Sequence, residues 1–487
     1  MSFNFYSDTL NSLKSFYKNI SRNYLNCHDS YLKIAGTYNP DSVKMWDGSG
    51  TLAACGHDIC SFTARNNMLS FQYQAVMYLN GRLDMDILEK AVAYSVEEQP
   101  VLGCRLVEAD EPYWKRINPI DDIAFCTLEE CNNPEEVLGK ILQNTPDVKD
   151  DLNLRIKIIR TVETDILAMK INSSCFDGTG VKEYIKRLGT IYTCIEKEGD
   201  TFIPQPRSFE REEEYGLLKE LGVVCPELRW NPQLDTAKRS WPLPWKHPDE
   251  NVAEYAFGKL PKGSFEKLCR YGNSKKATVN DLILTAYYRT LFKIARIARE
   301  IPMDIYSTVD LRRYLPGYYA QILRNFSGGF VTRIPRKTNE SFAGTLSRVV
   351  KTTKIIKENP SDRLDETVKA DSRQSSFTYF NDYFECVSGA GRTPEKNSMN
   401  TDIGCFPELC DLGNISENMI SFGMKIVTDV YILPPVTKLS GLSILTSSYN
   451  GILTMSAGYC RGSVARKDMN EFLNRIKNEL VRGCEAR

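Results

Sequence analysis

Histidine is scarce in this sequence: its 487 residues include three, His28, His57 and His247. An excess of one charge is also lacking, because 62 Lys and Arg balance 62 Asp and Glu. A dedicated nucleic-acid binder needs a positive field along the phosphates. The balanced charge therefore argues against that class of protein.

Long apolar runs are absent as well. No stretch approaches the roughly 18 apolar residues of a membrane-spanning helix. The start, MSFNFYSDTLNSLKSFYKN, lacks an apolar stretch of signal-peptide length. We therefore expect a cytoplasmic protein without a membrane span. Its 15 Cys should then be reduced thiols, most of them buried as small hydrophobic residues.

What is present is the composition of an ordinary globular protein, with 42% apolar and 25% charged residues. Predicted strands and helices alternate in both halves, which indicates an α/β or α+β fold with two domains of similar size. The segment 225–250 contains five Pro and three Trp. We interpret this stiff, non-helical segment as a linker and as the domain boundary.

One strand–loop–helix unit places polar residues where chemistry commonly occurs. Residues 153–162 alternate as a strand, and a second strand, Ile166 to Ile171, runs into the loop NSSCFDGTG. The residues that follow have the periodicity of an amphipathic helix. Asp177 is therefore expected at the mouth of a loop, the usual location of functional residues.

Local signals predict further elements along the chain. Asp84 can cap a helix over 85–97, and Thr278 can cap another helix in the second half. Asn450-Gly451 lies between two apolar runs and predicts a hairpin, because both turn positions need positive φ.

Five segments occur in an order that is typical of one family: VEEQPVLGCRLVE, INSSCFDGTGVKEYIKRL, VDLRRYLP with LRNFSGGFVTRI, NTDIGC, and SSYNGILTMSAG. Over residues 66–482 the sequence resembles alcohol-acetyltransferase-like and condensation-domain proteins of the chloramphenicol-acetyltransferase-like superfamily. The resemblance implies two α/β domains with mixed sheets, related by a pseudo-twofold axis. A tunnel at their interface would admit a thioester from one face and an acceptor from the other.

The resemblance also divides the chain. Residues 1–65 are then an N-terminal extension, and 66–240 form the N-terminal acyltransferase-like domain with its linker. Residues 241–487 form the C-terminal acyltransferase-like domain.

The family's hallmark is H-x-x-x-D-G, in which the His is the general base and the Asp is mainly structural. Asp177 and Gly178 match this motif, but Ser173 stands at the His position and follows Asn172. An imidazole can take a proton near pH 7, whereas a serine hydroxyl cannot. Losing a positioned base typically costs about 10²–10⁴ in rate.

A second departure concerns the arginine that usually pairs with the motif Asp. Relatives often carry Leu-Arg where this chain has Leu102-Gly103. Arg105, Arg312 or Arg313 could substitute for that arginine. If none does, Asp177 is simply a residue of the loop or the helix start.

Other residues are implied to contact the donor and acceptor tunnel. They are Asn172, Gly178, Arg312, Asn325 and Asn400. The last three could equally be ion-pair or turn residues. Cys175 could be a nucleophile only with a lowered pKa and a nearby base, so a buried, inert thiol is the favoured interpretation.

A cluster near the N-terminus contains residue types that bind zinc. Its members are Cys27, His28, Cys55, His57 and Cys60. The spacing is not that of a standard zinc finger, so we expect no metal here. All three histidines lie outside the matched motifs and are expected to be structural or exposed.

The leading hypothesis is acyl transfer from a thioester to a hydroxyl or amine, weakened by Ser173. The donor would be acyl-CoA or an acyl carrier protein, the acceptor a small molecule, and no cofactor would be resident. The competing hypothesis is a pseudoenzyme that binds ligands or partners without turnover. A third is a condensation partner within a biosynthetic assembly.

Overall fold

The structure, a computed structural model, describes residues 50–118, 123–144, 152–202, 241–245, 252–315, 322–358, 404–437 and 441–485. We call the described part of 50–202 the first half and the described part of 241–485 the second half. Within these ranges no helix is both long enough and apolar enough to cross a bilayer.

The described first half contains eight strands and four α-helices. Its elements are β1 (Thr51–Ala53), α1 (Gly56–Ala64), β2 (Met68–Ser70), β3 (Gln72–Leu79), α2 (Met85–Glu98), β4 (Cys104–Val107), β5 (Tyr113–Arg116), β6 (Cys126–Glu130), α3 (Pro134–Gln143), β7 (Leu154–Arg160), β8 (Asp165–Asn172) and α4 (Gly178–Glu198).

The second half has longer strands. Its elements are β9 (Trp241–Pro242), β10 (Ala253–Leu260), α5 (Lys262–Ser274), α6 (Val279–Ile294), β11 (Pro302–Asp310), β12 (Ser327–Pro335), α7 (Phe342–Glu358), β13 (Gly404–Asn414), β14 (Ser421–Phe422), β15 (Lys425–Leu433), β16 (Val436–Thr437), β17 (Gly441–Tyr449), β18 (Ile452–Cys460) and α8 (Arg466–Glu485).

Two mixed sheets form the framework, which confirms the predicted α/β fold class. The first has the order β14-β15-β3-β8-β7-β6, with β6 and β7 parallel and the other pairs antiparallel. The second has the order β10-β18-β17-β13-β11-β12, in which β13 lies parallel to both β11 and β17. Its β17–β18 hairpin turns at Asn450 and Gly451, with φ of 48° and 75°, as predicted.

The two sheets do not separate at residue 240. Strand β15 belongs to the second half by sequence but pairs with β3 in the first sheet, with Val430 opposite Met77. Its apolar side chains are buried in the first core, since Val427, Val430 and Ile432 are at most 1% exposed. Strand β15 therefore crosses from the second half into the first sheet and joins the two halves.

The described part of the predicted extension, residues 50–65, packs against the rest of the first half. Strand β1 pairs with β5, and the Asp58 carboxylate of α1 accepts hydrogen bonds from Trp114 Nε1 (3.0 Å) and Cys55 N (3.3 Å). Asp58 and Trp114 are both 1% exposed. Residues 50–65 are therefore part of the first half, and the rest of 1–65 lies outside the described residues.

Only a short part of the predicted linker is described. Trp241 is fully buried, and its Nε1 donates to the Asp304 carbonyl at 2.7 Å. This part of the linker therefore packs into the core of the second half. His247 and the remainder of 225–250 lie outside the described residues, apart from 241–245.

Candidate functional site

The loop between β8 and α4 is folded by its own polar side chains. Asn172 Oδ1 accepts from Ser174 N at 2.9 Å, and Asn172 Nδ2 donates to Asn153 Oδ1 at 3.0 Å. Asn153 in turn donates to the carbonyls of Val101 (2.8 Å) and Cys104 (2.7 Å). Both ends of the Asn172 amide are therefore engaged in holding the loop.

Asp177 caps helix α4 and reaches into the second half. Its Oδ1 accepts from Gly180 N at 2.6 Å, which satisfies one of the free backbone donors of the helix start. Its Oδ2 accepts from Phe326 N at 2.9 Å, a residue of the second half. Asp177 therefore lies where the two halves meet, at the N-terminus of a long helix.

Arg312 completes this contact. Its Nη1 lies 2.9 Å from Asp177 Oδ2 and its Nη2 lies 3.2 Å from Asp177 Oδ1, a bidentate ion pair. The remaining donors bind Asp310 Oδ1 (3.0 Å) and the carbonyls of Ile322 (3.0 Å) and Arg324 (2.5 Å). All five N–H groups are thus used within the protein, so Arg312 has none left for a substrate.

Arg312 is therefore the arginine that pairs with the carboxylate of the motif, Asp177. Arg105 and Arg313 are exposed, whereas the Arg312 and Asp177 side chains are 2% and 3% exposed. Burial lowers the pKa of Arg312, but the carboxylates of Asp177 and Asp310 outweigh it and raise the pKa above its ordinary value. The Arg312 guanidinium is therefore held in its charged form, and its contact with Asp177 joins the two halves.

Asn325 joins three segments at one amide. Its Nδ2 donates to the Ser173 carbonyl at 2.8 Å and to Ser61 Oγ at 3.2 Å. Its Oδ1 accepts from Ser327 N at 3.1 Å and lies 3.0 Å from His57 Nε2. The residue at the motif His position and a true histidine therefore hydrogen-bond the same side chain.

Sequence reasoning missed His57 at this site. It lies outside every matched motif and is expected to be structural or exposed; it is 5% exposed, is hydrogen-bonded to Asn325 and lies next to the Ser173 loop. Helix α1 carries it there from the segment that was interpreted as an extension. One sequence signal could have placed His57 on a helix. Cys55 and Asp58, which flank His57, form a capping box at the start of α1.

Among the remaining predicted site residues, Cys175 is described, whereas several others lie outside the described residues. Cys175 is a completely buried thiol whose Sγ lies 3.9 Å from the Val101 carbonyl, surroundings that do not favour a thiolate. Among the described residues no three potential ligands approach one another closely enough to hold a metal. Cys27, His28 and Asn400 lie outside the described residues.

Strand β13 of the second sheet turns one of its two faces toward the first half. Leu409 packs in the second core, whereas Cys410 and Leu412 pack in the first. Gly178 packs against Leu412, since a Cβ added to Gly178 would lie 2.6 Å from Leu412 Cδ2. By the period-two alternation of a strand, Glu408 shares the face of Cys410 and Leu412.

Comparison with solved structures identifies the fold of this chain. Neither a scan of family models nor a search of curated proteins found a match. Solved structures do match. The trichothecene 15-O-acetyltransferase of Fusarium sporotrichioides has a TM-score of 0.69 at 11% identity over 92% of this chain and 98% of that chain.

Two further structures match over similar lengths. The first condensation domain of the calcium-dependent antibiotic synthetase gives a TM-score of 0.64 at 14% identity, over 90% of this chain and 97% of that one. Polyketide synthase associated protein 5 from Mycobacterium tuberculosis gives a TM-score of 0.63 at 16% identity, over 91% of this chain and 100% of that one. This chain has the chloramphenicol-acetyltransferase-like fold.

Within this acetyltransferase-like fold, Glu408 is a half-buried carboxyl with few hydrogen bonds. Ser443 Oγ donates to its Oε2 at 2.7 Å, and in the described part of the chain this is its one hydrogen bond. The side chain keeps partial exposure, yet burial raises the pKa of the carboxyl, and the Ser443 bond lowers it only in part. The face between the halves therefore carries a carboxyl that resists ionisation.

We expect Glu408→Gln to stabilise the protein, and more so at pH 8 than at pH 5. A carboxyl whose folded pKa is raised stabilises the fold below its ordinary value of 4.5 and loses that contribution as pH rises through the raised pKa. Gln keeps an acceptor for Ser443 without the charge. Thermal unfolding at both pH values measures the difference, and an equal shift at the two would contradict it.

Proposed function

We propose that this protein transfers an acyl group from a thioester, CoA or a carrier-protein arm, to a hydroxyl or amine. The observation that carries the proposal is the buried Asp177–Arg312 pair, which locks the Ser173 loop of the first half against the second half. Support comes from the matching folds, an O-acetyltransferase and a condensation domain in complex with a substrate analogue.

The Asp177 carboxylate is a structural group in this proposal. Its two oxygens accept four hydrogen bonds, two of them from the Arg312 guanidinium, so both oxygens are engaged within the protein. Holding donor and acceptor together then supplies most of the rate, since positioning alone lowers a bimolecular barrier. Without a base at position 173, turnover is expected to be slow.

A binding protein without turnover is the second candidate. The observation that favours it is Ser173 itself, because a hydroxyl cannot accept a proton at neutral pH. Such a protein would bind a thioester or a carrier protein between the halves and release it unchanged. The two candidates differ in one observable, the free thiol that acyl transfer produces.

The test measures thiol release from acetyl-CoA and from an acylated carrier protein, with butanol, butylamine or water as acceptor. We expect slow release by the wild type and a rate about ten- to a hundredfold higher for Ser173→His. Imidazole restores the missing base, but its second ring nitrogen also needs a partner, so rescue stays below the usual range of about 10²–10⁴.

The matched control is Ser174→His, one residue further along the same loop. Ser174 is completely buried, so a histidine there is not expected to raise the rate. Thioester binding with no thiol release by wild type or Ser173→His would favour the binding protein. No binding and no release would contradict both candidates.

A further inference from the structure

We propose that a cavity in the second half binds an amphipathic carboxylate, that is, an apolar body that carries one carboxylate group. The cavity has a volume of about 670 Å³, which lies in the usual range for small-molecule sites. It is lined by the segment after β9, by β10, by the end of α6 and by the turn and helix start between β18 and α8. Ser173, Asp177, Arg312 and Asn325 do not line it, so this proposal does not depend on the proposed acyl transfer.

Apolar side chains form much of the lining. They are Leu243, Pro244, Trp245, Ile294, Val464, Met469 and Phe472. Met469 and Phe472 lie three residues apart in α8 and therefore on one face of the helix, and they are 0% and 5% exposed. Trp245 is half-buried, and its backbone N–H donates to the Leu243 carbonyl at 2.8 Å. Because these side chains pack in or against the second core, they offer an apolar ligand a fixed surface.

The charged lining residues leave a small positive excess. Three arginines and three carboxylates line the cavity, namely Arg461, Arg466, Arg475, Glu254, Asp468 and Glu471. Arg475 and Glu471 form an ion pair with each other, so together they add no net charge. Asp468 lies in the first turn of α8, where the helix dipole offsets the charge of a carboxylate. Two arginines and Glu254 remain, and their charges sum to one positive charge.

These three remaining charges act on one buried hydroxyl group. Tyr459 lies opposite Glu254 in the β10–β18 pair, and its side chain is completely buried. Burial and the nearby Glu254 carboxylate raise the pKa of the Tyr459 hydroxyl, whereas the positive charges of Arg466 and Arg461 lower it in part. The three charged groups are therefore near one another, and the two guanidinium groups outnumber the carboxylate. This part of the cavity favours an anion over a cation.

Arg466 is the residue that we assign to the carboxylate of the ligand. Its side chain is exposed, and within the described part of the chain its guanidinium forms no hydrogen bond or ion pair. A guanidinium binds a carboxylate through two parallel N–H···O bonds. An inorganic anion has no apolar body and would leave the apolar lining uncovered. The two parts of the lining together therefore fit an amphipathic carboxylate.

Decanoate is the test ligand, and isothermal titration calorimetry on the full chain measures its Kd. Decanol has the same length without a charge, and decylamine has the opposite charge. We expect decanoate to bind more tightly than decanol, and decanol more tightly than decylamine, because the charge beside the apolar lining is positive.

Two variants separate the charged contact from the apolar one. Arg466→Met should raise the Kd of decanoate about 10- to 100-fold, the usual effect of losing a charged hydrogen-bond partner, and should leave the Kd of decanol nearly unchanged. Trp245→Ala should weaken decanoate and decanol by the same factor, because it removes apolar contact alone. The matched control is Lys467→Met, since Lys467 is also exposed but does not line the cavity, and it should bind decanoate like the wild type.

Unchanged decanoate binding by both Arg466→Met and Trp245→Ala would place the ligand elsewhere on the protein and overturn the site. Equal Kd values for the three ligands, or an equal loss in Arg466→Met and Lys467→Met, would overturn the assignment of the carboxylate to Arg466. No binding of decanoate by the wild type would overturn the proposal as a whole. Thiol release tests the acyl-transfer function separately, so failure of one proposal leaves the other standing.

Discussion

Replacing Arg312 by Met is expected to lower the free energy of unfolding by about 3–5 kcal/mol, the usual cost of removing one partner of a buried ion pair. The Asp177 carboxylate would stay buried, with the backbone N–H groups of Gly180 and Phe326 as its remaining donors. The Ile322 carbonyl would lose its Arg312 donor, and the Arg324 carbonyl would keep the backbone N–H of Asp177, at 3.4 Å, as a donor. Urea denaturation followed by fluorescence measures the change.

Arg313→Met is the matched control, since the same substitution at the next residue removes an exposed guanidinium that lies over the Tyr314 ring. Its effect should stay within about 0.5 kcal/mol. If Arg312→Met does not fold at all, the double variant Asp177→Asn with Arg312→Met should recover part of the stability, because no buried charge remains. Equal stability of Arg312→Met and wild type would show that the pair does not fasten the halves.

Much of the fold was predictable because its signals are local. Strand β8, the loop and helix α4 follow from period-two and helical patterns within about 30 residues, with Asp177 as the helix cap. The hairpin follows from two residues, Asn450 and Gly451. Such signals act between neighbours in the chain, so a single sequence displays them.

The parts that sequence reasoning missed all depend on long-range contacts. Strand β15 is as apolar as the strands around it, and nothing in its residues shows that it pairs with β3, some 350 positions earlier in the chain. The choice of Arg312 over Arg105 and Arg313 depends on burial, which adjacent positions do not reveal. His57 reaches Asn325 across 268 residues.

The junction between the halves is packed closely enough that one methyl group should disturb it. A Cβ on Gly180 would lie 2.9 Å from the Arg324 carbonyl oxygen and 3.0 Å from Phe176 Cβ. The Arg324 carbonyl cannot move away freely, because Arg312 Nη2 donates to it. Gly180 N also donates to Asp177, so a shift of the helix start would strain the ion pair.

We therefore expect Gly180→Ala to destabilise the protein by about 1–3 kcal/mol, the usual cost of overpacking, despite the better helix propensity of Ala. Gly139→Ala in helix α3 is the matched control, because a Cβ there meets no atom within 4 Å. It should stabilise by about 0.5–1 kcal/mol, since Ala restricts the unfolded chain and favours the helix. Opposite signs for two identical substitutions, measured by urea denaturation, locate the strain at the junction. Stabilisation by both would show that the contact between Gly180 and Arg324 relaxes freely, and that the loop bearing Ser173 is not held as tightly as its hydrogen bonds indicate.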